Sequence, residues 1–183
     1  MDELFSTVVT SALVATIAGA AINYWLQSRK EKHVTRFDAL TAAISLEGYA
    51  ISCADKLSDH DLAKSSEGHA GTYMGSLPEL PKVSVVAGFL KPKKAKVADR
   101  LLFFPYEVRQ ADQVAAFLWD VTADIDAVRE TSAAQAAEMG LRALELASDT
   151  RKAFKLPQRS VVFGVFDVRK ILEEHRQNDQ ENA

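Results

Sequence analysis

Apolar and polar residues follow one another in long blocks along this chain, and most blocks have helical spacing. From residue 4 to residue 26 no side chain is charged, and about 20 helical residues are enough to cross the hydrocarbon core of a bilayer. The pattern predicts one N-terminal transmembrane helix, with Tyr24 and Trp25 at the membrane interface. A buried core helix or an uncleaved leader in a soluble protein is the alternative.

The charges on either side of this segment predict its orientation. Acidic residues precede it, whereas Arg29, Lys30 and Lys32 follow it. A cleavable signal peptide has its positive charges before the apolar run, so the order here favours an anchor. The positive-inside rule then predicts an outside N-terminus and a cytoplasmic C-terminal domain, at the cell inner membrane.

Small residues recur every four positions within the predicted span. Ser11, Ala15, Gly19 and Asn23 share one helix face, and small residues at this spacing let two membrane helices approach closely. We expect self-association or a larger membrane complex through this face. Small residues are also common in membrane helices that do not associate, which is the competing interpretation.

The pattern divides the chain into three parts. Residues 1–27 form the predicted anchor, residues 28–177 a cytoplasmic helical domain, and residues 178–183 a disordered polar tail. The anchor helix is expected to run on into the domain, because no Pro interrupts the chain before residue 57. Its apolar residues then cover half of the helix circumference, which implies at least two packing partners.

A long loop is predicted for about residues 58–92, which are rich in Gly, Pro and small polar residues. A loop of this length is unusual in a small domain and suggests mobility or function. Four lysines follow an apolar patch there. Together with the basic residues after the span they form a candidate membrane-surface set, although a solvated helix start explains the lysines equally simply. The set contains Arg29, Lys30, Lys32, Lys91, Lys93, Lys94 and Lys96.

Further helices complete an all-α fold. A short helix is expected to end before Pro105, and the next begins there. A seam of apolar residues with alternating spacings of three and four then runs from Ala111 to Val128. A connection near residues 130–132 leads to a helix over residues 133–155, and a last helix covers part of 161–177. A strand over residues 160–166 is the alternative for that region.

Composition agrees with a folded helical domain and limits the kinds of partner that the protein can bind. The chain is 48% hydrophobic and 26% charged, with a formal net charge of −3. A near-neutral domain argues against nucleic acid as a partner. The single Cys53 has no second cysteine with which to form an internal disulfide, which suits a reducing compartment.

Charged residues on apolar helix faces are the candidates for chemistry. Glu47 projects near the centre of the apolar arc of the first helix, and Arg151 shares a face with apolar residues of a later one. A buried carboxylate must be paired, protonated or functional, so Arg151 is a candidate partner, with Glu107 and Arg109 as alternatives. An ion pair that fixes helix register and a titrating or ligand-binding Glu47 both remain open.

Motifs of known chemistry are missing from the sequence. There is no Gly-rich phosphate loop, Cys pair, nucleophile elbow or HExxH. The sequence thus favours a non-enzymatic assembly, scaffold or accessory subunit at the cytoplasmic face of a membrane, with membrane lipid as a partner and no cofactor or metal. The alternative is a ligand- or proton-responsive module that uses buried Glu47. A third reading is a small hydrolase or metal enzyme that uses Glu47, Asp59, His60 and Asp61.

Overall fold

A computed structural model describes the backbone of residues 2–82, 89, 92 and 94–182, and the side chains of residues 19–82, 89, 92 and 94–177. The described residues form four helices and one short hairpin, so the predicted all-α class is confirmed. The elements are α1 (Asp2–Ser65), α2 (Ala95–Thr122), α3 (Ile125–Ala153), β1 (Val162–Phe163), β2 (Phe166–Asp167) and α4 (Val168–Asn182).

Helix α1 is continuous, and the buried side chains among those described all lie in its second half. Between residues 19 and 37 almost every side chain is exposed, and burial begins at Ala39. Among the described side chains no helix holds an apolar stretch long enough to cross a membrane. Residues 4–18 of the predicted span lie outside those described side chains.

Helix α3 lies at the centre of the bundle and contacts α1, α2 and α4. Small residues dominate its contact with α1, where Ala43, Ala50, Ala136 and Ala143 are fully buried. Methyl-sized side chains let helix axes come close together, as the many alanines in this region predict. Gly140 is the tightest point, because a Cβ there would lie 2.8 Å from Leu172 of α4 and 3.1 Å from Cys53 of α1.

Helix α2 continues through Pro105, so the prediction of two helices meeting at this proline is wrong. A proline inside a helix removes one hydrogen bond and usually kinks the helix. Leu101 and Phe104 before the proline and Val108 after it are all buried. Apolar packing on both sides of Pro105 keeps the chain helical.

The break between α2 and α3 falls at Ala123 and Asp124, not at residues 130–132 as predicted. Ala123 adopts a left-handed conformation with φ of 52°, and its N–H bonds to the carbonyl of Trp119. Asp124 then caps α3, since its carboxylate accepts the N–H groups of Asp126 and Ala127. Ser132, in the expected connection, is buried inside α3.

The connection after α1 begins at residue 66, later than the predicted residue 58, because α1 continues to Ser65. Side chains hold residues 66–82 against the helices: the Met74 N–H donates to Nδ1 of buried His60, and the Leu77 N–H donates to Asp112 of α2. Gly71 permits a close approach to α1. A Cβ there would lie 2.3 Å from the Asp59 carbonyl oxygen, and its φ is +74°.

After α3 the chain forms a hairpin before α4. Strands β1 and β2 pair antiparallel, with Val162 opposite Asp167 and Phe163 opposite Phe166. Asp167 ends the hairpin and accepts the N–H of Lys170 in the first turn of α4. The sequence left a strand and a helix as alternatives for this region, and the structure contains both, a pair of two-residue strands followed by α4.

Candidate functional site

Glu47 and Arg151 form a buried, two-pronged ion pair between α1 and α3. Arg151 Nε lies 2.6 Å from Glu47 Oε1, and Nη2 lies 2.9 Å from Oε2. The remaining guanidinium nitrogen, Nη1, donates to the carbonyl of Pro157 at 3.0 Å. Only 6% of Glu47 and 4% of Arg151 are exposed. Both carboxylate oxygens are therefore occupied in a site that holds little water.

A cavity of about 210 Å³ opens beside this pair. It lies between α1, α3 and the segment from Arg159 to Arg169, which includes the hairpin. Arg159 and Arg169 bring two further guanidinium groups to its wall, and Asp167 a carboxylate. Arg169 Nη1 also lies 3.4 Å from Glu173. The cavity is therefore lined by charged groups of both signs, and the buried pair is part of its lining.

The alternative partners of Glu47 lie elsewhere. Glu107 pairs with Arg142 of α3 at 3.7 Å. That arginine also binds Glu138 at 2.8 Å, and the hydrogen bond to Glu138 raises the pKa of Arg142. Arg109 is exposed and stands 5.9 Å from the ring of Tyr106. Neither Glu107 nor Arg109 shares the cavity with Glu47.

A larger groove lies at the other end of the described part of α1. It has a volume of about 1450 Å³ and separates α1 from the end of α3. Arg36 crosses it and donates to the carbonyl of Lys155 at 3.3 Å. Lys94 Nζ lies 3.8 Å from the ring centre of Phe154. We name this the basic groove; its charged lining is Lys30, Glu31, Lys32, Arg36, Lys94 and Lys155.

The predicted membrane-surface residues divide between the groove and its surroundings. Lys30, Lys32 and Lys94 line it, whereas the guanidinium of Arg29 stacks on the Trp25 ring at 3.9 Å. Lys96 is exposed at the start of α2, and Lys91 and Lys93 lie outside the described residues. Sequence reasoning missed Lys155, because nothing in a local pattern shows that the end of α3 approaches α1.

The predicted helix-contact face in the membrane is described only at one end. Gly19 and Asn23 are exposed, and a Cβ on Gly19 would contact no described atom within 4 Å. Asn23 also lines the basic groove. Ser11 and Ala15 lie outside the described side chains.

The side chains of Asp59, His60 and Asp61 do not come together at one site. His60 is buried against the loop and its Nε2 lies 3.8 Å from Glu130, while Asp61 is exposed and contacts His175 at 2.9 Å. In the described part of the chain no group of three His, Cys, Asp or Glu side chains has a geometry that could hold a metal ion. Burial raises the pKa of nearby Cys53 to about 12, which leaves its thiol protonated.

An exposed apolar stripe runs along α2 and was not predicted. Of the predicted seam, Ala111 and Val128 are buried, but Val114 and Val121 are 40% and 65% exposed. The seam had been assigned to one helix, and the break at Ala123 divides it between two. We name the exposed side chains the α2 stripe: Phe103, Tyr106, Val114, Phe117 and Val121.

No protein-family model, no curated protein and no solved structure matches this chain. Its function is therefore inferred from the residues and their geometry.

Proposed function

We propose that this protein is a membrane-anchored, non-enzymatic assembly, scaffold or accessory subunit at the cytoplasmic face of a membrane. One observation carries the proposal: large apolar side chains are exposed on two separate helices, α1 and the α2 stripe. Large contiguous apolar surface on a folded protein marks contact with a membrane or another protein. The exposed surface of α1 suits contact with a membrane, and the α2 stripe suits contact with another protein.

The first surface supports the anchor. Ile22, Tyr24, Trp25 and Leu26 are between 52% and 78% exposed, and they continue the uncharged stretch that begins at residue 4. Aromatic residues favour the membrane–water interface, and cations favour its cytoplasmic side. Trp25 stacked under Arg29 satisfies both preferences. In this arrangement the bundle lies on the cytoplasmic side.

The second surface supports assembly. Phe103 and Tyr106 are three positions apart, and Val114, Phe117 and Val121 follow two turns later at spacings of three and four. All five lie on the side of α2 opposite the face that packs on α3. Phe117 is 68% exposed and Tyr106 63%. Exposed aromatic side chains of this kind are enriched in protein–protein interfaces, where a few of them carry most of the binding energy.

Alkaline extraction and labelling test the anchor. In a Cys53→Ser background, Asp2→Cys places one thiol before the predicted span and Ser52→Cys places one after it. A membrane-impermeant maleimide added to intact cells should label Asp2→Cys, and should label Ser52→Cys only after lysis. The chain should stay in the membrane fraction at alkaline pH. Release of the chain by alkali, or labelling of Ser52→Cys in intact cells, would contradict the proposed anchor.

Crosslinking in intact membranes tests assembly. A photoreactive residue in place of Phe117 should capture a second copy or one defined partner, identified by mass spectrometry. The same residue at Asp55, exposed on α1, is the control for unspecific capture. The products should disappear with Tyr106→Ser. A chain that gives only the uncrosslinked monomer from Phe117 would contradict the assembly role.

The second candidate function is a ligand- or proton-responsive module, and the cavity beside Glu47 favours it. In such a module protonation or ligand binding would loosen the contact of Arg151 with Glu47 and free residues 157–169. Hydrogen–deuterium exchange of that segment tests the idea. The exchange rates are divided by the intrinsic rate at each pH to give protection. Loss of protection at acid pH in the natural chain, but not in Glu47→Gln, supports the module, whereas identical pH dependence in both contradicts it.

A further inference from the structure

We propose that the basic groove binds the phosphate headgroup of an anionic phospholipid and places its acyl chains beside α1. The inference rests on the proposed membrane anchor and adds to it a defined lipid site. Five cationic side chains and one carboxylate line the groove. They come from α1, from the start of α2 and from the end of α3, so folding alone brings them together.

The charge of the groove is arranged around one end of α3. The last carbonyl groups of a helix carry partial negative charge, and this would repel a phosphate. Arg36 donates to the carbonyl of Lys155, two residues after the end of α3, and this places a positive charge near that helix end. Lys155 itself has a left-handed backbone with φ of 53°, which turns the chain out of the helix at the wall of the groove. An anion there meets cations on both sides.

The height of the groove agrees with a lipid headgroup. At a rise of 1.5 Å per residue, Lys30 lies about 6 Å and Lys32 about 9 Å beyond Leu26 along the helix axis. The headgroup layer of a bilayer is roughly 5–8 Å thick on each side of the hydrocarbon core. If Leu26 ends the hydrocarbon-spanning part of α1, the backbone of Lys30 lies within the headgroup layer and that of Lys32 just beyond it. The flexible side chain of Lys32 is long enough to reach back to the phosphates.

The remainder of the lining is suited to the apolar part of a lipid. Leu26, Val34 and Phe154 form apolar wall beside the cations, and exposed Ile22 extends it toward the predicted span. The volume of about 1450 Å³ exceeds the roughly 300–1,000 Å³ typical of a small-molecule pocket. Only Leu26 and Ile22 lie on the membrane side of Lys30, so a headgroup held at Lys30 would direct its acyl chains along these two residues.

Reconstitution of the full chain into vesicles tests the inference. Vesicles contain phosphatidylcholine alone or with phosphatidylglycerol as a minor component. We expect native mass spectrometry of protein released from the mixed vesicles to show bound phosphatidylglycerol, and thermal unfolding to occur at higher temperature in them. The double variant Lys30→Gln, Lys155→Gln should retain about thirty-fold less phosphatidylglycerol, since each lysine near an anionic surface contributes roughly five-fold.

A second double variant controls for net charge. Lys56→Gln, Lys170→Gln removes the same charge outside the groove lining and should retain the lipid like the natural chain. Equal losses in the two double variants would show diffuse attraction and overturn the site. Stabilisation of the detergent-solubilised chain by inorganic phosphate alone, to the same extent, would likewise overturn a lipid site.

Flotation separates this inference from the anchor. If the chain fails to float with either kind of vesicle, the proposed anchor is wrong and the lipid site falls with it. If the chain floats equally with both, and retains neither lipid selectively, the anchor stands and the headgroup site is wrong. Flotation with both kinds, together with selective retention, supports the two together.

Discussion

Arg151 holds both carboxylate oxygens of Glu47 although the two residues are 104 positions apart in the chain. The pair joins the second half of α1 to the C-terminal end of α3, in a contact otherwise rich in alanine and leucine. Methyl groups pack at several helix registers with similar energy, whereas a two-pronged ion pair satisfies its geometry at one register only. The pair therefore defines how α1 and α3 align.

Removal of one member of this pair should cost more than removal of both. In Glu47→Gln the guanidinium of Arg151 stays buried without a counter-charge, and we expect unfolding to become easier by about 3–5 kcal/mol. Urea unfolding of the detergent-solubilised chain, followed by circular dichroism, measures the change. The double variant Glu47→Leu, Arg151→Met should be closer to the natural chain than either single variant. Additive losses would show that the two residues act separately.

Gly71→Ala and Gly48→Ala should change stability in opposite directions. At Gly71 the backbone φ is +74° and an added Cβ would meet backbone atoms of α1, so we expect a loss of at least about 2 kcal/mol. At Gly48, in the middle of α1, a Cβ meets nothing within 4 Å. Alanine there should stabilise the helix by about 0.5–1 kcal/mol. Equal effects, measured by thermal unfolding, would contradict the tight contact at Gly71.

The Cys53 thiol should be nearly inert in the folded protein. Burial raises its pKa to about 12, and only a thiolate reacts quickly with iodoacetamide. Near neutral pH we expect alkylation at least about a hundred-fold slower than for an exposed cysteine. Cys53→Ser with Ser52→Cys moves the thiol to the exposed neighbouring position and is the matched comparison. Equal alkylation rates by mass spectrometry would show that α1 opens at this point.

Acid should weaken the fold through His60. Its Nδ1 accepts the Met74 N–H, and burial lowers the pKa of His60 below 6.5. Glu130 and Asp61 oppose this shift, while Lys64 and His175 add to it. The unfolded chain therefore binds a proton at a higher pH than the folded one, so the stability that neutral His60 contributes is lost as the pH falls through 6.5.

The variant His60→Asn tests this dependence and retains an acceptor for Met74. Between about pH 7 and pH 5 its unfolding free energy should fall less steeply than that of the natural chain, by up to about 1.4 kcal/mol per pH unit. His69→Asn changes an exposed imidazole and serves as the control. A slope that is the same in all three chains would remove His60 as the source of acid sensitivity.

Helical periodicity in the sequence predicts the all-α class and puts Glu47 and Arg151 on apolar faces. It does so because one residue every 100° determines which side chains share a face, without knowledge of the partner helix. The same reasoning fails at Pro105, where the local preference for a helix end is weaker than the packing of Leu101, Phe104 and Val108. It also fails at Ala123, because this residue is left-handed but is not a glycine, the residue type that usually marks such a position in a sequence.

Long-range contacts were beyond the sequence pattern. The basic groove combines Lys30 and Lys94 with Lys155, and its existence depends on where the end of α3 lies relative to α1. The hydrogen bonds by which His60 and Asp112 fix the loop could not be predicted either. A side chain that accepts a hydrogen bond from a distant backbone N–H leaves no periodic pattern in the sequence. Such features follow from the packing of the helices, which a linear pattern does not specify.

Because α1 is continuous from Asp2 to Ser65, the bundle has a fixed rotation about the axis of α1 relative to the start of that helix. At 1.5 Å per residue the helix is about 96 Å long, and no hinge separates its exposed half from the half that packs on α3. A residue inserted between positions 27 and 38 would turn the bundle by about 100° about the helix axis. In the proposed membrane-anchored arrangement, the number of residues in this part of α1 therefore sets the direction in which the α2 stripe faces a neighbour.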